Sequence, residues 1–407
     1  MCNVIIKSYP VKGGDCFLVK YEGKNFLIDS GYKTTSDRLI SDLKCLSDNG
    51  EKLDLLIITH IDNDHIGGAI SLLEEDKVIQ IDEVWYNGYL QVFDVREGLK
   101  RTDRVSELKI KNIISSNIQC ISKDNGNYKI GYEEAKSLEE LLFNKKVTIN
   151  NKFNGEAIYS SMKYSFDDAD IEFRFLSPST NTIEELKEEW KSVLQEYDYY
   201  GEERNIADMP KAFEFYYTND KEVGAYTYEM SRKENEPLDA ERLSKVDNQL
   251  DDKVINRSSL AFILRIKDKN LLFLGDSNPD DIAYQLNKLI GEDERYKNIS
   301  LMKVSHHGSK YNTNNLLLSI INTESFLIST DGSPVKDGMP SKPHLETVAR
   351  ILYNEPQAAL FFTYPENYYS ENMHQLISNW NSNKENNNAM EFGKAEEPLE
   401  IEIKLMG

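Results

Sequence analysis

The segment LDLLIITHIDNDHIGG, residues 53–68, places a run of apolar residues directly before a cluster of polar ones. Its first part, LDLLIIT, is the kind of continuous apolar run that forms a strand buried on both faces. Two imidazoles and two carboxylates follow at His60, Asp62, Asp64 and His65. Polar side chains at the carboxyl end of a buried strand lie where α/β sheets commonly bind ligands. The segment therefore predicts an α/β fold with a functional site at this strand end.

Other segments show the same pattern of an apolar strand followed by histidine or aspartate. They are LFLGD at 272–276, LMKVSHHGSK at 301–310 and, after the strand SFLIST, SKPHLETV at 341–348. The chain has six histidines, and all except His374 lie in these polar clusters. Histidines scattered through a core or a surface would not concentrate in this way. We therefore predict that the strand ends converge on one site.

The residue types in these clusters indicate a metal site. Imidazole nitrogens and carboxylate oxygens together are typical ligands of zinc, manganese and iron, and a carboxylate-rich set favours manganese. The HIDNDH cluster has room for two ions, which Asp276 could bridge from a neighbouring strand end, while His306, His307 and His344 could complete the shells. We expect two divalent metal ions, zinc or manganese. The alternative for any single residue is a hydrogen-bonded core or capping role.

The pattern along the chain predicts a single domain, residues 1–407, that contains an insertion. Short β-rich runs occupy the first 30 residues, and helices are predicted over 35–47 and 67–75. Residues 95–255 contain the insertion, with helices at 132–142 and 182–197 and a core strand near 170–178. Thr182 and Glu185 fit a capping box for the second of these helices. The run 198–255 is charged and poorly periodic, which predicts a plain solvated excursion; the alternatives are a cover for the site or a surface for a protein partner.

The composition excludes some functions and leaves others open. The 407 residues carry 48 Lys and Arg against 69 Asp and Glu, and the formal net charge of −21 opposes general binding of duplex nucleic acid. The first residues lack the basic start and apolar run of a secretory signal, and no later run reaches about 18 apolar residues. The four cysteines form no CxxC pair. We expect a cytoplasmic protein with reduced cysteines and no membrane association.

THIDNDHIGG resembles the HxHxDH signature of the metallo-β-lactamase superfamily, with Asp62 where the signature has its second histidine. This HxDxDH form, with LIDSG at 27–31, LFLGD and VSHHGS, is most similar to the C-terminal hydrolase domain of ComEC-type DNA-uptake proteins and its free-standing relatives. GGDCFLV, NRSSLAFILRI and KPHLETV resemble further segments of that group. The matches cover about residues 3–75 and 255–352 in the same order.

The resemblance implies an αββα sandwich with an inserted helical and irregular region and a dinuclear metal cleft. Transferred by position, it assigns His60 and Asp62 to one metal, Asp64 and His65 to the other, Asp276 to both, and His344 to the second as a terminal ligand. Many members have a further histidine where this chain has Ile255 and Asn256. The first metal is therefore expected to bind more weakly, to take His306 or His307 as a further ligand, or to be manganese rather than zinc. Asp29 is expected to orient a ligand histidine, and Gly67 and Gly68 to let the backbone approach the metals.

The implied activity is hydrolysis of a phosphodiester by metal-activated water, as a phosphodiesterase or nuclease. The substrate would be single-stranded nucleic acid or a small phosphodiester. Asp64, His306 and His307 are the catalytic candidates, and whichever of the two histidines is not a full ligand would protonate the leaving oxygen. Ser309 and Lys310 are expected to contact phosphate or to lie in a solvated loop.

Two other functions fit the same residues. One is a small-molecule hydrolase acting on cyclic nucleotides, phosphocholine esters or thioesters, and the other is a binding module with weakened chemistry. Replacement of Asp64 or His65 by alanine is expected to abolish hydrolysis while the fold survives, and loss of the buried charge is expected to stabilise the metal-free protein. The pattern leaves the oligomeric state open.

Overall fold

The computed structural model describes residues 3–95, 104–124, 136–166, 170–201, 208–218, 238–247, 249–334, 341–383 and 386–405. Its strands, in chain order, are β1 Val4–Ser8, β2 Phe17–Tyr21, β3 Lys24–Ile28, β4 Leu55–Ile57, β5 Val84–Trp85, β6 Lys163–Phe166, β7 Ile171–Ser177, β8 Ala261–Ile266, β9 Lys269–Phe273, β10 Asn298–Ile299, β11 Leu301–Lys303, β12 Asn322–Thr323, β13 Ser325–Ile328, β14 Ala359–Phe362, β15 Met390–Phe392 and β16 Leu399–Ile403.

The helices of the described ranges alternate with these strands over much of the chain. They are α1 Asp37–Asp48, α2 Asn63–Glu74, α3 Tyr89–Val92, α4 Arg104–Asp124, α5 Leu138–Lys145, α6 Thr180–Glu196, α7 Met209–Thr218, α8 Ala240–Ser244, α9 Val254–Arg257, α10 Pro279–Glu292, α11 Asn315–Ile320, α12 Leu345–Asn354 and α13 Glu371–Asn381. None of them is long and apolar enough to cross a lipid bilayer.

The strands form two large mixed sheets. The first has the order β16-β1-β2-β3-β4-β5, the second has the order β15-β14-β13-β11-β9-β8-β7-β6, and β10 and β12 make a separate short pair. In the first sheet β3 is parallel to β4, and in the second β11 lies parallel between β9 and β13. Parallel neighbours end at the same edge of a sheet. The segments that follow β3, β4, β9, β11 and β13 therefore leave the sheets side by side.

The two sheets pack face to face around an apolar core, and helices cover both outer faces. Trp85 of the first sheet meets Phe173 of the second edge to face, with ring centroids 4.8 Å apart. Such an aromatic pair stabilises by about 0.5–1.5 kcal/mol beyond its buried area. Separate buried clusters join the first sheet to α1–α7 and the second sheet to α8 and α10–α13. The predicted αββα sandwich is confirmed.

Several local predictions differ from the structure. Helix α2 begins at Asn63, four residues before the predicted start, so Asp64 and His65 lie in its first turn. Helix α6 is capped by Ser179, whose side chain accepts the Thr182 amide hydrogen, because the helix starts earlier than the capping-box pattern suggested. The helix predicted at 132–142 is seen from Leu138, and its first four positions lie outside the described residues.

The prediction of a solvated excursion at 198–255 is wrong for part of that run. Helix α7 buries Met209, Phe213 and Tyr217 against the helices on the first sheet. Its last residue, Thr218, donates a hydrogen bond to the Ile61 carbonyl at 3.1 Å, between His60 and Asp62. The physical reason is that aromatic residues spaced along one helix bury a face even when the surrounding sequence is charged. Residues 202–207, 219–237 and 248 lie outside the described ranges.

Candidate metal centre

The polar cluster that follows β4 is divided between a loop and the start of α2. Asp62 is the N-cap residue of α2, but its side chain makes no capping hydrogen bond. An N-cap aspartate ordinarily accepts a bond from the second or third amide of the helix. The Asp62 carboxylate instead lies with one oxygen 3.6 Å from Nε2 of His60. The Asp62 side chain therefore does not cap the helix but lies beside His60.

Helix α2 lies unusually close to the turn that follows β3. A Cβ atom on Gly68 would lie 2.0 Å from the Ser30 carbonyl oxygen, a contact that real side chains do not make. The Gly68 amide instead bonds the Gly31 carbonyl at 2.9 Å, and Ser30 bonds the His65 carbonyl. The expected approach of this glycine pair to the metals stays a prediction. The absence of side chains at Gly67 and Gly68 lets α2 pack on the β3 turn, and this packing positions Asp64 and His65.

The Nδ1 atoms of His60 and His65 both face oxygen atoms that can only accept. Nδ1 of His65 lies 2.8 Å from Oδ2 of Asp29, as expected for an orienting carboxylate. Nδ1 of His60 lies 3.1 Å from Oγ1 of Thr59, and that hydroxyl already donates its hydrogen to Asp29 at 2.8 Å. Each Nδ1 must therefore carry the hydrogen in the neutral ring, which leaves a lone pair on each Nε2.

His306 and His307 have the same arrangement, although they come from the other sheet. Nδ1 of His306 lies 3.0 Å from Oδ1 of Asn312 and 3.2 Å from Oδ2 of Asp251. Nδ1 of His307 lies 3.1 Å from the Ser329 carbonyl oxygen. Both histidines adopt left-handed backbone conformations, with φ of 48° and 56°. Such conformations cost roughly 1–2 kcal/mol per residue, and here they direct adjacent rings into the same site.

The four Nε2 atoms converge on Asp276. Its two carboxylate oxygens lie 3.4 Å from Nε2 of His306, 3.5 Å from that of His65, and 3.9 Å from those of His60 and His307. Oδ2 of Asp64 lies 3.1 Å from Nε2 of His307. Three groups of donor atoms are close enough to hold a cation. They are His60 with His65 and Asp276, Asp64 with His65 and His307, and Asp15 with Asp29 and His65.

The buried polar atoms of the centre that lack hydrogen-bond partners show, independently of the sequence pattern, that these residues fit a divalent metal. Nε2 of His60 and of His65, Oδ1 of Asp62 and Oδ1 of Asp276 are buried and have no hydrogen-bond partner among the described residues. A buried polar atom without a partner costs about 1–3 kcal/mol. Four such atoms beside one another, all of them lone-pair donors, are what a cation would satisfy. The geometry therefore agrees with divalent metal binding.

The charges of the centre are strongly coupled. Burial alone raises the pKa of Asp64, but His65 and His307 outweigh it and hold the pKa well below its ordinary range. Burial lowers the pKa of the His65 imidazole, but Asp276, Asp29 and Asp64 together raise it well above the ordinary value. A proton on His65 occupies the position that a metal needs, so metal binding at this ring must release it.

The family model described as Metallo-beta-lactamase superfamily matches residues 9–83, from the end of β1 to the start of β5. The protein has the metallo-β-lactamase fold. Comparison with curated protein sequences gave no match. The fold and the donor set together agree with metal-dependent hydrolysis.

Solved structures with this fold resemble the chain only distantly. YhfI from Bacillus subtilis, a metallo-β-lactamase fold protein, is 10% identical, with 98% of this chain and 99% of that chain covered and a TM-score of 0.38. A diphosphatase from the PhnP family is 10% identical, with 100% and 99% covered and a TM-score of 0.36. CmlA, a diiron β-hydroxylase from Streptomyces venezuelae, is 11% identical with a TM-score of 0.37, and this chain, 98% covered, spans 54% of it. These values are too low to bear on function.

His344 stands apart from the other histidines of this metallo-β-lactamase fold. It precedes α12, and its Nδ1 accepts a hydrogen bond from the Lys310 backbone amide at 2.9 Å. It belongs to none of the three donor groups of the described residues, and His307 lies beside Asp64 and His65, where the resemblance placed His344. Metal binding by His344 stays a prediction from resemblance.

Both predictions for Lys310 are wrong, whereas phosphate contact by Ser309 stays a prediction. The Lys310 side chain is buried, so it does not belong to a solvated loop. The Lys310 ammonium forms a 3.1 Å ion pair with Glu346 of α12 and is not presented to a phosphate. A buried lysine needs such a partner, because desolvation of an unpaired charge is very costly.

Three residues of the centre were not predicted as site residues. Asp15 forms an ion pair with Lys303 and lies 3.2 Å from Nδ1 of His307, while the Lys303 ammonium also bonds the Gly275 carbonyl at 3.0 Å. Asp251, from the supposed excursion, faces His306. Asp15 lies in the segment GGDCFLV and Lys303 lies in LMKVSHHGSK. A charged residue within each of these largely apolar runs was the sequence feature that could have marked them as site residues. For Asp251 the sequence offers no comparable signal.

Proposed function

We propose that this protein is a metal-dependent phosphodiesterase, with single-stranded nucleic acid or a small phosphodiester as its substrate. The observation that carries the proposal is the convergence of four Nε2 atoms whose rings are all fixed with the hydrogen on Nδ1. His60, Asp62 and His306 would hold one divalent cation, Asp64, His65 and His307 the other, and Asp276 would contact both. Zinc and manganese both suit this mixture of nitrogen and oxygen donors.

Two adjacent cations supply a water molecule of lowered pKa and neutralise charge on an in-line displacement at phosphorus. The chain's own residues prepare the site for this. Asp29, Asp251 and Ser329 hold the imidazole tautomers, as second-shell acceptors do in metal enzymes. Asp62 and Asp64 are partly exposed, with 27% and 20% of their side chains accessible, so the opening of the site lies at these carboxylates.

The charge of the centre also supports a metal-dependent reaction with an anionic substrate. Six carboxylates surround the four histidines, those of Asp15, Asp29, Asp62, Asp64, Asp251 and Asp276. The Lys303 ammonium forms ion pairs with two of them, Asp15 and Asp276. So many carboxylates would repel a phosphodiester. Two divalent cations held by these carboxylates and histidines would neutralise most of this charge, and the loaded centre would then admit the substrate.

Nuclease activity is the finer part of the proposal and is supported by the resemblance to the ComEC-type hydrolase domain. The net charge of −21 argues against long duplexes and favours short or single-stranded substrates. The alternatives, an esterase for cyclic nucleotides, phosphocholine esters or thioesters and a module without catalysis, use the same centre. They differ in the bond that is cleaved, so a panel of substrates separates them.

The test begins with elemental analysis of protein dialysed against zinc or manganese, followed by turnover of bis-p-nitrophenyl phosphate. We expect stoichiometric metal and hydrolysis by the parent, and a loss of at least a hundredfold in Asp64→Ala and His65→Ala. His374→Ala is the matched control, because His374 lies on α13 and bonds the Glu366 carbonyl away from the centre. Equal turnover by all four proteins would refute the proposal.

The metal-loaded parent protein is then assayed for hydrolysis of a panel of substrates. The panel consists of single-stranded DNA, duplex DNA, RNA, cyclic nucleotides, phosphocholine esters and a thioester. Cleavage of single-stranded nucleic acid supports the nuclease assignment. Turnover of only one small ester would replace it by that activity. Stoichiometric metal without turnover of any substrate would favour the module without catalysis.

A further inference from the structure

His344 is tied to the turn that carries His306 and His307. Its backbone amide bonds the Gly308 carbonyl at 3.0 Å, and its Nδ1 accepts from the Lys310 amide at 2.9 Å. His344 is buried, with 8% of the residue exposed. His344 thus adjoins the proposed metal centre without sharing its donor groups.

The hydrogen bond from Lys310 determines the tautomer of His344. A backbone N–H can only donate, so Nδ1 of His344 must offer its lone pair, and the neutral ring then carries its hydrogen on Nε2. This is the reverse of His60, His65, His306 and His307. Burial, with the nearby charges of Lys342, Lys310 and His306, lowers the pKa of His344 to about 3, so the ring is neutral. None of the hydrogen bonds found in the described part of the chain uses its Nε2.

Helix α12 holds the Lys310 amide in place from several directions. Glu346 forms the buried ion pair with the Lys310 ammonium at 3.1 Å. Arg350, one turn further along, donates to the Lys310 carbonyl at 2.8 Å and to the Thr313 carbonyl at 2.6 Å. Because these contacts fix both ends of Lys310, its amide hydrogen stays directed at Nδ1 of His344. The inverted tautomer is therefore built into the packing of α12.

We propose that His344 is a neutral N–H donor to a phosphoryl oxygen of the substrate and does not ligate a metal. The proposal rests on the phosphodiesterase function for its substrate class. It leaves His307, 3.1 Å from Asp64, as the terminal histidine of the second cation. Nε2–H of a neutral imidazole cannot be a general acid of useful strength, so its contribution is a hydrogen bond that strengthens as charge develops on the oxygen.

The experiment separates ligation from hydrogen bonding with two readouts that do not require turnover. His344→Gln keeps an N–H donor at the end of the side chain, and His344→Leu removes the donor while it keeps much of the volume. Each variant is loaded with zinc, its metal content is measured, and its affinity for inorganic phosphate is determined by calorimetry. His307→Leu is the control for loss of a ligand.

We expect both His344 variants to retain the parent's metal content, whereas His307→Leu loses metal. Phosphate affinity should fall about ten- to hundredfold in His344→Leu, the usual effect of losing a hydrogen bond to a charged group, and by less than about threefold in His344→Gln. Should His344→Leu not fold, His344→Ala provides the same comparison.

Loss of one metal equivalent from both His344 variants would show that the residue is a ligand and would overturn the inference. Unchanged phosphate affinity in His344→Leu, or no phosphate binding by the loaded parent, would overturn the donor role. Failure of the phosphodiesterase proposal gives a different result, because the parent would then hydrolyse no phosphodiester. The metal content and the phosphate affinity of the variants would still decide the role of His344.

Discussion

Oδ2 of Asp251 lies 3.2 Å from Nδ1 of His306, although the two residues are 55 positions apart and belong to segments of very different character. The Asp251 carboxylate also accepts hydrogen bonds from the side-chain amides of Asn256 at 2.7 Å and Asn312 at 3.1 Å. Burial raises the pKa of this carboxyl, but His306 and the two amides outweigh burial and hold the pKa well below its ordinary range. A carboxylate that fixes the distal nitrogen of a ligand histidine usually strengthens metal binding. In this chain it holds the ring of His306 with Nε2 3.4 Å from Oδ2 of Asp276.

Replacement of Asp251 by alanine should therefore weaken metal binding without removing a ligand. We expect the affinity for one zinc equivalent to fall about ten- to hundredfold, as for other outer-shell partners. The variant should also unfold more easily by about 1–3 kcal/mol, because Asn256 and Asn312 lose a buried partner. Titration against a chelating dye measures the affinity. Asp252→Ala, at the exposed neighbouring position, should match the parent, and equal affinity in both variants would contradict the orienting role.

The expectation that loss of Asp64 stabilises the metal-free protein is reversed by the structure. Although burial disfavours the charge, His65 and His307 lower the pKa of Asp64, so the folded protein favours the ionised carboxylate over the unfolded chain. A lowered carboxyl pKa contributes stability above its unfolded value, near 3.9, and this contribution is lost as the pH falls through the folded value. At pH 7 in chelator, Asp64→Asn should thus be less stable by about 1–3 kcal/mol. Denaturant unfolding of both proteins measures this, and a more stable variant would restore the earlier view.

The sequence predicted the layers of the fold and the polar strand ends because both follow from local pattern. The run LDLLIIT gave a buried strand, and His60, Asp62, Asp64 and His65 followed it directly. Periodicity could not reveal that α2 starts at Asn63, since Asn63, Asp64 and His65 are polar and the apolar pattern of the helix begins only after them. The close packing of Gly68 on the turn after β3 is a tertiary contact and has no counterpart in the local pattern.

The tautomers of the histidines show a second limit. From the sequence, His306, His307 and His344 were all predicted as possible metal ligands. The residue type alone does not show which ring nitrogen has a lone pair available for a metal. The difference arises from single partners, the Ser329 carbonyl for His307 and the Lys310 amide for His344. Both partners come from backbone positions that any residue could provide. Ligand and donor could therefore be separated only by the structure.

The close approach of α2 to the β3 turn allows a test of whether this packing positions Asp64 and His65. In Gly68→Ala the new Cβ would meet the Ser30 carbonyl at 2.0 Å, so α2 must move and carry Asp64 and His65 with it. We expect a stability loss of about 1–3 kcal/mol, as for an overpacked core, and a fall in metal affinity. Gly291→Ala is the control, since nothing lies within 4 Å of its Cβ position in α10, and it should match the parent or exceed its stability. A metal affinity equal to that of the parent in Gly68→Ala would show that the packing does not position the site.

Two buried carboxylates that form no ion pair among the described residues predict how stability depends on pH. Glu214 of α7 accepts the Leu138 amide at 2.6 Å at the start of α5, and Glu139 of α5 accepts the Leu90 amide at 3.1 Å at the start of α3. Burial raises the pKa of Glu139 to about 7, and burial together with the charge of Glu139 raises that of Glu214 to about 8. Tyr86, whose pKa is also raised by burial, and Glu140 are the other titratable groups that act on this pair.

Because both carboxyl pKa values lie above the unfolded values, the protonated pair contributes stability that is complete below about pH 4.5 and is lost as the pH rises through the folded values. The free energy of unfolding should therefore fall between pH 5 and pH 8. Glu214→Gln keeps an oxygen acceptor for Leu138 but cannot ionise, so its decrease over this range should be smaller than the parent's by about 1–3 kcal/mol. Denaturant unfolding in chelator at the two pH values gives this difference directly. The exposed Glu188→Gln in α6 should follow the parent, and an equal decrease in Glu214→Gln would mean that Glu214 is ionised in the folded protein throughout.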